Sequence, residues 1–240
     1  MRIETYFTVD EVDPVSLEAA TTTVVVVDVL RATTTLVEAL ANGARGVYPT
    51  GSTEEAVKLA QSLGREDTLL CGERKGSKVE GFDLGNSPRE FTRAAVEGKR
   101  LVMSTTNGTR ALTVAQHSSR LIPCAFTNLG AVAAAMRGAE RVVIICAGRE
   151  GRFSMDDALC AGHLIRRVLG DAEGDLNDAS RAARALAGFR KPTRKFFEAT
   201  DGGRALVDIG LGDDLDLCAE VDRHDVVAEM RDQVIVLTGE

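Results

Sequence analysis

Two uninterrupted apolar runs constrain the fold of this chain more than any other feature of its sequence. Residues 23–27 read TVVVV, and residues 141–146 read RVVIIC. Runs of β-branched residues without polar alternation are typical of strands that are buried on both faces of a parallel sheet. Because parallel strands are joined by crossover helices, the two runs predict a layered α/β fold.

Strand and helix patterns alternate over the first 170 residues, as this fold class requires. Further strands are predicted at 2–9, 46–49, 68–71, 100–103, 120–124 and 234–237. Helices are predicted near 36–40, 53–63, 108–116, 128–137, 176–188 and 192–200. Ser87-Pro88-Arg89-Glu90 resembles a capping box that opens a helix to about residue 98, and Ser154 resembles the cap of the next one. Asp201-Gly-Gly predicts a turn.

Composition narrows the class of protein. The net charge of −7 argues against nonspecific nucleic-acid binding, and no apolar run approaches the ~20 residues of a membrane span. The amino-terminal residues lack the apolar core of a signal peptide. Five cysteines without a C-x-x-C pair make a disulfide framework or structural zinc improbable, so we expect reduced thiols and a cytoplasmic protein.

Polar loops follow the four strongest strands. They span residues 28–35, 72–74, 104–110 and 147–151. If these strands are parallel, their carboxyl ends meet at one edge, where α/β proteins bind ligands. We therefore expect these loops to surround one site, although each could serve as an ordinary turn or helix cap.

The residue types in these loops suit metal-assisted phosphoryl transfer. Carboxylates that could hold a hard divalent cation are Asp28, Glu73, Asp83, Asp156 and Asp157. Groups that could hold phosphate oxygens are Arg31, Thr105, Thr106, Asn107, Thr109 and the backbone N–H of Gly108. Neither a P-loop nor a G-x-G-x-x-G pattern is present.

Four ordered segments resemble the 2-phosphosulfolactate phosphatase family. They are VDVLRATTT, GERKGSKVEGFDLGNSPREF, STTNGTRAL and CAGREGRFSMDDALCAG, within residues 23–165, with a looser match at 203–218. The resemblance implies a three-layer α/β/α sandwich with a largely parallel or mixed central sheet. We take residues 1–240 as one phosphatase domain whose portion from about 171 is mainly helical.

The resemblance also implies a magnesium-dependent acid phosphatase that hydrolyses 2-phospho-3-sulfolactate to 3-sulfolactate and phosphate, in coenzyme M biosynthesis. Mg²⁺ is expected on Asp28, Glu73, Asp83 and one of Asp156 or Asp157, with Asp157 preferred. Asp28 and Arg31 are the expected catalytic residues. The expected substrate-binding residues are Thr105, Thr106, Asn107, Gly108, Thr109, Ser87 and Arg149.

The three anionic groups of such a substrate call for several cations, and Arg31, Arg74, Arg110 and Arg149 are available at the predicted edge. The nucleophile is left open between a metal-bound water, Asp28 and Cys146, which fits a C-x₅-R pattern with Arg152. The alternatives are a phosphatase of another small phosphorylated acid, or a protein that binds a phospho-ligand without turnover. Assembly into a homo-oligomer is also left open, and we expect neither nucleic-acid nor membrane partners.

Overall fold

The computed structural model describes residues 1–239. Its strands are β1 (Arg2–Tyr6), β2 (Thr22–Val27), β3 (Gly46–Pro49), β4 (Thr68–Arg74), β5 (Ser77–Lys78), β6 (Arg100–Ser104), β7 (Arg120–Cys124), β8 (Arg141–Cys146), β9 (Asp175–Leu176), β10 (Ala228–Arg231) and β11 (Val234–Leu237). Its α-helices are α1 (Ala32–Ala41), α2 (Thr53–Leu63), α3 (Arg93–Val96), α4 (Gly108–Val114), α5 (Leu129–Ala135), α6 (Met155–Leu169), α7 (Asp178–Phe189), α8 (Arg194–Glu198), α9 (Asp201–Asp208) and α10 (Asp214–Cys218).

The strands form two sheets. The first has the order β7-β2-β8-β1-β9 and is entirely parallel, with the two apolar runs, β2 and β8, side by side. The second has the order β10-β11-β3-β6-β4-β5; its neighbours β3, β6 and β4 are parallel, and the outer pairs are antiparallel. The expected α/β class and three-layer architecture are confirmed, with the strands divided between two sheets.

Alternate side chains of β2 pack into different cores, which explains why the run lacks polar residues. Val25 and Val27 face a cluster that is shared with α5, α6 and α7. Val24 and Val26 face a second cluster, which includes α1, α4 and strands of the second sheet. A smaller cluster beneath α2 covers the outer face of β4 and β6. Helices thus cover the sheets on both outer sides.

Helix α1 is buried from Ala32 to Leu40 on every side. Its one acidic side chain, Glu38, therefore needs partners within the protein. Arg223 Nε donates to Glu38 at 3.1 Å, and His224 Nε2 lies 2.7 Å from the same carboxylate oxygen. The carboxy-terminal segment thus provides the partners of a charge in the central helix.

Two local predictions are wrong. The helix expected from residue 87 to 98 is a 3₁₀ turn at Pro88–Glu90 followed by the short α3, because the Glu90 carboxylate accepts from Gly85 N (2.6 Å) instead of closing a capping box. The turn expected at Asp201 is the start of α9, where the Thr200 hydroxyl accepts from Gly203 N at 3.0 Å.

Beyond residue 171 the chain forms the short β9, helices α7 to α10 and the β10–β11 hairpin. Gly162 of α6 allows α7 to approach closely, because a Cβ there would lie 2.0 Å from the Ala183 carbonyl oxygen. No helix within residues 1–239 combines the length and hydropathy that crossing a membrane requires. That the chain forms one domain stays a prediction.

Candidate active site

One cavity brings together the loops that follow β2, β4, β6 and β8. The expected site residues that line it are Asp28, Arg31, Glu73, Thr106, Asn107, Arg149, Asp156 and Asp157. One side of the cavity is apolar and is formed by Leu30, Ala205, Leu206 and Ile209, on the β2 loop and on α9 with the residue after it. The cavity lining is therefore mixed, since acidic and basic side chains share it with these apolar ones.

Asp28 follows β2 and is buried, and its Oδ1 accepts from the backbone N–H of Ala32 at 3.3 Å. Gly108 packs against its other oxygen, since a Cβ at 108 would lie 2.5 Å from Asp28 Oδ2. Burial raises the pKa of Asp28 to about 7, and the nearby charges of Asp156 and Glu73 add to that rise. Asp28 is therefore a carboxyl group that can hold or release a proton near neutral pH.

Asp157, in the first turn of α6, ties two loops together. Its Oδ1 accepts from Val29 N at 2.8 Å and its Oδ2 from Gly148 N at 3.1 Å. Burial, followed by the charges of Asp156 and Asp28, raises its pKa well above the usual range. Both oxygens thus serve the loops after β2 and β8, so Asp157 braces the site.

Asp156 faces the cavity next to Asp157 and has a less occupied carboxylate. Its Oδ1 accepts a hydrogen bond from the Ser154 hydroxyl at 2.8 Å. Ser154 precedes α6 as expected, but its hydroxyl makes no capping hydrogen bond to the helix backbone. Burial raises the pKa of Asp156, and the Ser154 contact opposes the rise. Of the two neighbouring aspartates, Asp156 is the better placed to contact a ligand.

Glu73 joins the β4–β5 hairpin to the loop after β6. Its Oε1 accepts from Thr106 N at 2.7 Å, and its Oε2 accepts from Gly76 N at 2.7 Å and from the Thr106 hydroxyl at 3.2 Å. The side chain is buried at the cavity wall. Glu73 therefore ties together the turns that follow the neighbouring strands β4 and β6.

Arg31 is buried, and hydrogen bonds from both terminal nitrogens hold its guanidinium group in place. Nη1 donates to Asp214 Oδ2 at 2.8 Å, and Nη2 donates to the Gly76 carbonyl at 2.8 Å. Ser87 donates its hydroxyl to the other Asp214 oxygen at 2.6 Å. Ser87 thus lies behind Arg31 and does not line the cavity. Asp214, 183 residues after Arg31, was missed because nothing local in the sequence marks it.

The loop after β6 divides into two kinds of residue. Thr106 and Asn107 line the cavity, and Asn107 Oδ1 accepts from Glu150 N at 3.1 Å. Thr105 and Thr109 are instead buried against each other: Thr109 N donates to the Thr105 hydroxyl oxygen at 3.1 Å, and Thr105 N to that of Thr109 at 3.2 Å. These two threonines shape the loop and lie outside the cavity lining.

Asp83 is not brought to the cavity. Its Oδ2 accepts from Leu70 N at 2.7 Å and pairs with Arg65 at 3.1 Å, on the surface. The reason is that residues 77–85 turn back along β4. In the backbone pairing of the strands, Lys78 lies opposite Glu73, and Leu84 forms a β-bridge with Cys71. The structure thus removes Asp83 from the candidate metal ligands.

The two remaining arginines and the cysteine also lie elsewhere. Arg74 donates to the Ser104 carbonyl, and Arg110 pairs with Asp10, so neither lines the cavity. Cys146 is completely buried outside the lining, and burial raises the pKa of its thiol well above the usual range. Since Arg152 is also absent from the lining, no cysteine-phosphatase cradle is formed.

The cavity lining contains four polar residues that were not selected as site residues from the sequence, namely Lys75, Asn86, Glu150 and Ser154. Asn86 is buried, and its Oδ1 has no hydrogen-bond partner among residues 1–239. Lys75 is exposed at the tip of the β4–β5 hairpin and reaches the cavity. The GNSP stretch could have suggested Asn86 as readily as Ser87, and a cation after β4 was expected at Arg74 instead.

Within residues 1–239 the acidic, histidine and cysteine side chains form no ready-made metal cluster of three or more. What the cavity does offer is an excess of buried carboxylates. The charge of Arg31 lowers the pKa of Asp28, but Arg31 is already paired with Asp214. A cavity lined by carboxylates and by Arg31, Lys75 and Arg149 can hold a cation, an anion or both, and can exchange a proton through Asp28.

The chain was compared with known proteins. The family model described as 2-phosphosulpholactate phosphatase matches residues 6–233. A "Probable 2-phosphosulfolactate phosphatase" of Clostridium perfringens (strain 13 / Type A) is 38% identical over 235 residues, which cover 96% of this chain and 94% of the relative.

Two further relatives have the same name. The protein of Thermotoga petrophila is 38% identical over 216 residues, which cover 90% of this chain and 92% of its own. That of Caldanaerobacter subterraneus subsp. tengcongensis is 35% identical over 239 residues, which cover 98% of each chain. The similarity therefore extends over almost the whole length of all three relatives.

Proposed function

We propose that this chain, which belongs to the 2-phosphosulfolactate phosphatase family, is a magnesium-dependent enzyme that hydrolyses 2-phospho-3-sulfolactate to 3-sulfolactate and phosphate. Membership of the family, expected from the sequence, is confirmed, and with it the enzyme class, a phosphoric monoester hydrolase. The observation that carries the proposal is the single cavity, in which Asp28, with a pKa near 7, lies with Thr106 and Asn107.

Magnesium fits the donors that this cavity presents. Asp28 and Asp156 are buried carboxylates with raised pKa values, and Asn86 Oδ1 is a buried oxygen acceptor without a partner in the described chain. These are hard oxygen donors, and Mg²⁺ retains several waters, so two or three protein ligands suffice. We therefore assign the metal to Asp156 and Asn86, with water completing its coordination, so that Asp28 remains free to carry a proton. When bound, Mg²⁺ would offset the negative charge of the phosphoryl group.

The remaining residues bind and orient the substrate. Asn107 offers its side-chain amide to the phosphoryl oxygens, and Arg149 adds a cation whose Nη1 donates to the Asp201 carbonyl at 2.7 Å. Arg31, which is held by Asp214, positions the hairpin through Gly76 and lowers the pKa of Asp28. The apolar side of the cavity excludes water from the carbon skeleton of the substrate.

Asp28 is the residue to which we assign proton transfer. The leaving group of the hydrolysis is the oxygen on carbon 2 of sulfolactate. This oxygen must gain a proton as the P–O bond breaks. A carboxyl group whose pKa is about 7 carries that proton at neutral pH and can give it up in the transition state. With Asp28 assigned to proton transfer and Cys146 outside the cavity, water is the nucleophile in this proposal.

Phosphate release from synthetic 2-phosphosulfolactate tests the proposal. We expect activity with Mg²⁺, its loss in EDTA, and its recovery on adding Mg²⁺. The Asp28→Asn variant should lose at least about 100-fold in kcat, as expected for removal of an acid–base group. Asp83→Asn makes the same charge change outside the cavity and is the matched control, expected to retain activity.

Each failure has a distinct meaning. Full activity in EDTA would reject the role of magnesium, and full activity of Asp28→Asn would reject that of Asp28. Tight binding of the substrate without any turnover would make the chain a phospho-ligand-binding protein. Because Leu30, Leu206 and Ile209 form an apolar wall, the second candidate substrate is a phosphorylated 2-hydroxy acid with an apolar side chain. A higher kcat/KM for such an ester would replace the sulfolactate assignment.

The cellular setting is part of the same proposal. All five cysteines are free and buried within the described chain, which agrees with a reducing compartment, and we propose the cytoplasm. We likewise propose the reaction as a step of coenzyme M biosynthesis. Whether the enzyme assembles into a homo-oligomer stays a prediction.

A further inference from the structure

We propose that Lys75, at the tip of the β4–β5 hairpin, binds the sulfonate group of the substrate and thereby sets the specificity of the enzyme. This inference rests on the proposed function. It concerns a residue of the cavity lining that follows the predicted loop residues Glu73 and Arg74 and that the sequence analysis did not select.

The hairpin holds Lys75 at the mouth of the cavity. In the antiparallel pairing of β4 with β5, Glu73 lies opposite Lys78 and Arg74 opposite Ser77, so the turn consists only of Lys75 and Gly76. Both have left-handed backbone angles, with φ of 53° at Lys75 and 84° at Gly76. A two-residue hairpin turn of this type favours Asn, Asp or Gly at its first position. A lysine there is not explained by the turn itself.

The turn is anchored to residues of the site. Gly76 N donates to Glu73 Oε2 at 2.7 Å, and the Gly76 carbonyl accepts from Arg31 Nη2 at 2.8 Å. The backbone that carries Lys75 is therefore fixed relative to Arg31, while its exposed side chain keeps its freedom to follow a ligand.

Lys75 is also the cation of this cavity that no protein group engages. Arg31 is paired with Asp214 at 2.8 Å, and Arg149 donates to the Asp201 carbonyl at 2.7 Å. Across residues 1–239, no ion pair or hydrogen bond joins the Lys75 ammonium group to another residue. Its charge is therefore available to an anionic ligand.

The chemistry of the substrate selects the sulfonate for this position. In 2-phospho-3-sulfolactate the carboxylate is on the same carbon as the phosphoester, whereas the sulfonate is one carbon farther away. With the phosphoryl group near the buried Asp28, the more distant anion is directed to the exposed rim, where Lys75 lies. The three N–H donors of an ammonium group match the three sulfonate oxygens.

The test compares two substrates, 2-phosphosulfolactate and 2-phospholactate, which has a methyl group in place of the sulfonate arm. We expect Lys75→Gln to raise KM for phosphosulfolactate about tenfold, the value of one charge-assisted hydrogen bond, and to change kcat little. For phospholactate the same variant should stay within about twofold of the wild type. Lys75→Arg should restore most of the loss.

Lys78→Gln is the matched control, because Lys78 is on the same hairpin, has the same charge and does not line the cavity. It should behave as the wild type with both substrates. An unchanged KM for phosphosulfolactate in Lys75→Gln would overturn the inference, as would equal losses with both substrates. If the wild type itself fails to hydrolyse phosphosulfolactate, the proposed function fails. If it succeeds while the substrate preference of Lys75→Gln is unchanged, only the role of Lys75 fails.

Discussion

The raised pKa of Asp28 predicts that this side chain destabilises the protein it serves. The pKa is about 7 in the folded chain, whereas an unperturbed aspartate, as in the unfolded chain, has a pKa of 3.8, so the folded state holds the proton more tightly. Ionisation of Asp28 therefore opposes folding. The penalty is absent below pH 4, grows between pH 4 and 7, and is complete above pH 7.

The size of the penalty follows from that difference. About 3 pKa units at about 1.4 kcal/mol each give about 4 kcal/mol. Asp28 is buried, so solvent does not screen the effect appreciably. In Asp28→Asn the amide oxygen can still accept from Ala32 N, and the side chain is neutral at every pH. We therefore expect the variant to exceed the wild type in unfolding free energy by up to about 4 kcal/mol at pH 8.

Urea unfolding of both proteins in EDTA, from pH 4 to pH 8, measures this difference directly. The gain of Asp28→Asn should be below about 1 kcal/mol at pH 4 and should increase to its maximum above pH 7. Asp83→Asn is the control, since Asp83 is on the surface in an ion pair and should show no such increase. A pH-independent difference, or an Asp28→Asn variant that is less stable at pH 8, would refute the reasoning.

Three further substitutions have defined outcomes. Gly108→Ala should lower kcat at least about tenfold and the unfolding free energy by about 1–3 kcal/mol, because its Cβ would lie 2.5 Å from Asp28 Oδ2. Asp214→Ala should cost about 3–5 kcal/mol in urea unfolding and most of the activity, since it leaves Arg31 buried without its carboxylate. Cys146→Ala should keep kcat within about twofold in the phosphate-release assay, because the thiol is outside the cavity.

The controls and contrary results are equally specific. Asp213→Ala removes the neighbouring, exposed carboxylate and should change stability by less than about 1 kcal/mol. If Asp214→Ala is no less stable than Asp213→Ala, the buried pair with Arg31 is not what holds that loop. A Cys146→Ala enzyme without activity would make the thiol a candidate nucleophile again, and a fully active Gly108→Ala enzyme would contradict the close approach to Asp28.

The sequence was most informative about features that are set by residues close together along the chain, such as buried strands and the residues that follow them. The runs at β2 and β8 have no polar alternation because both faces are buried, and that signal is present in five or six consecutive residues. It placed Asp28 at a strand end, and the same reasoning placed Thr106 and Asn107 after β6. The division of the strands between two sheets was not predictable in this way, since pairing joins segments far apart.

The predicted site residues that lie outside the cavity lining do so for one physical reason. Ser87 and Thr105 were expected to contact substrate because their hydroxyls suit phosphate, but each hydroxyl is bonded within the protein, one of them by Asp214. A local pattern shows which groups a side chain has and not which distant partner already occupies them. The apolar wall from α9 was missed for the same reason, because its residues approach Asp28 only after folding.

The partners of Glu38 have a consequence for the synthesis of the protein. Helix α1 is made early, yet the guanidinium and imidazole that face its carboxylate are added 185 and 186 residues later. A chain that ends before Arg223 would lack both partners, and its buried Glu38 carboxylate would keep only the Asn42 side-chain amide, at 3.1 Å. We therefore expect such truncated chains to unfold more readily and to be cut more readily by proteases.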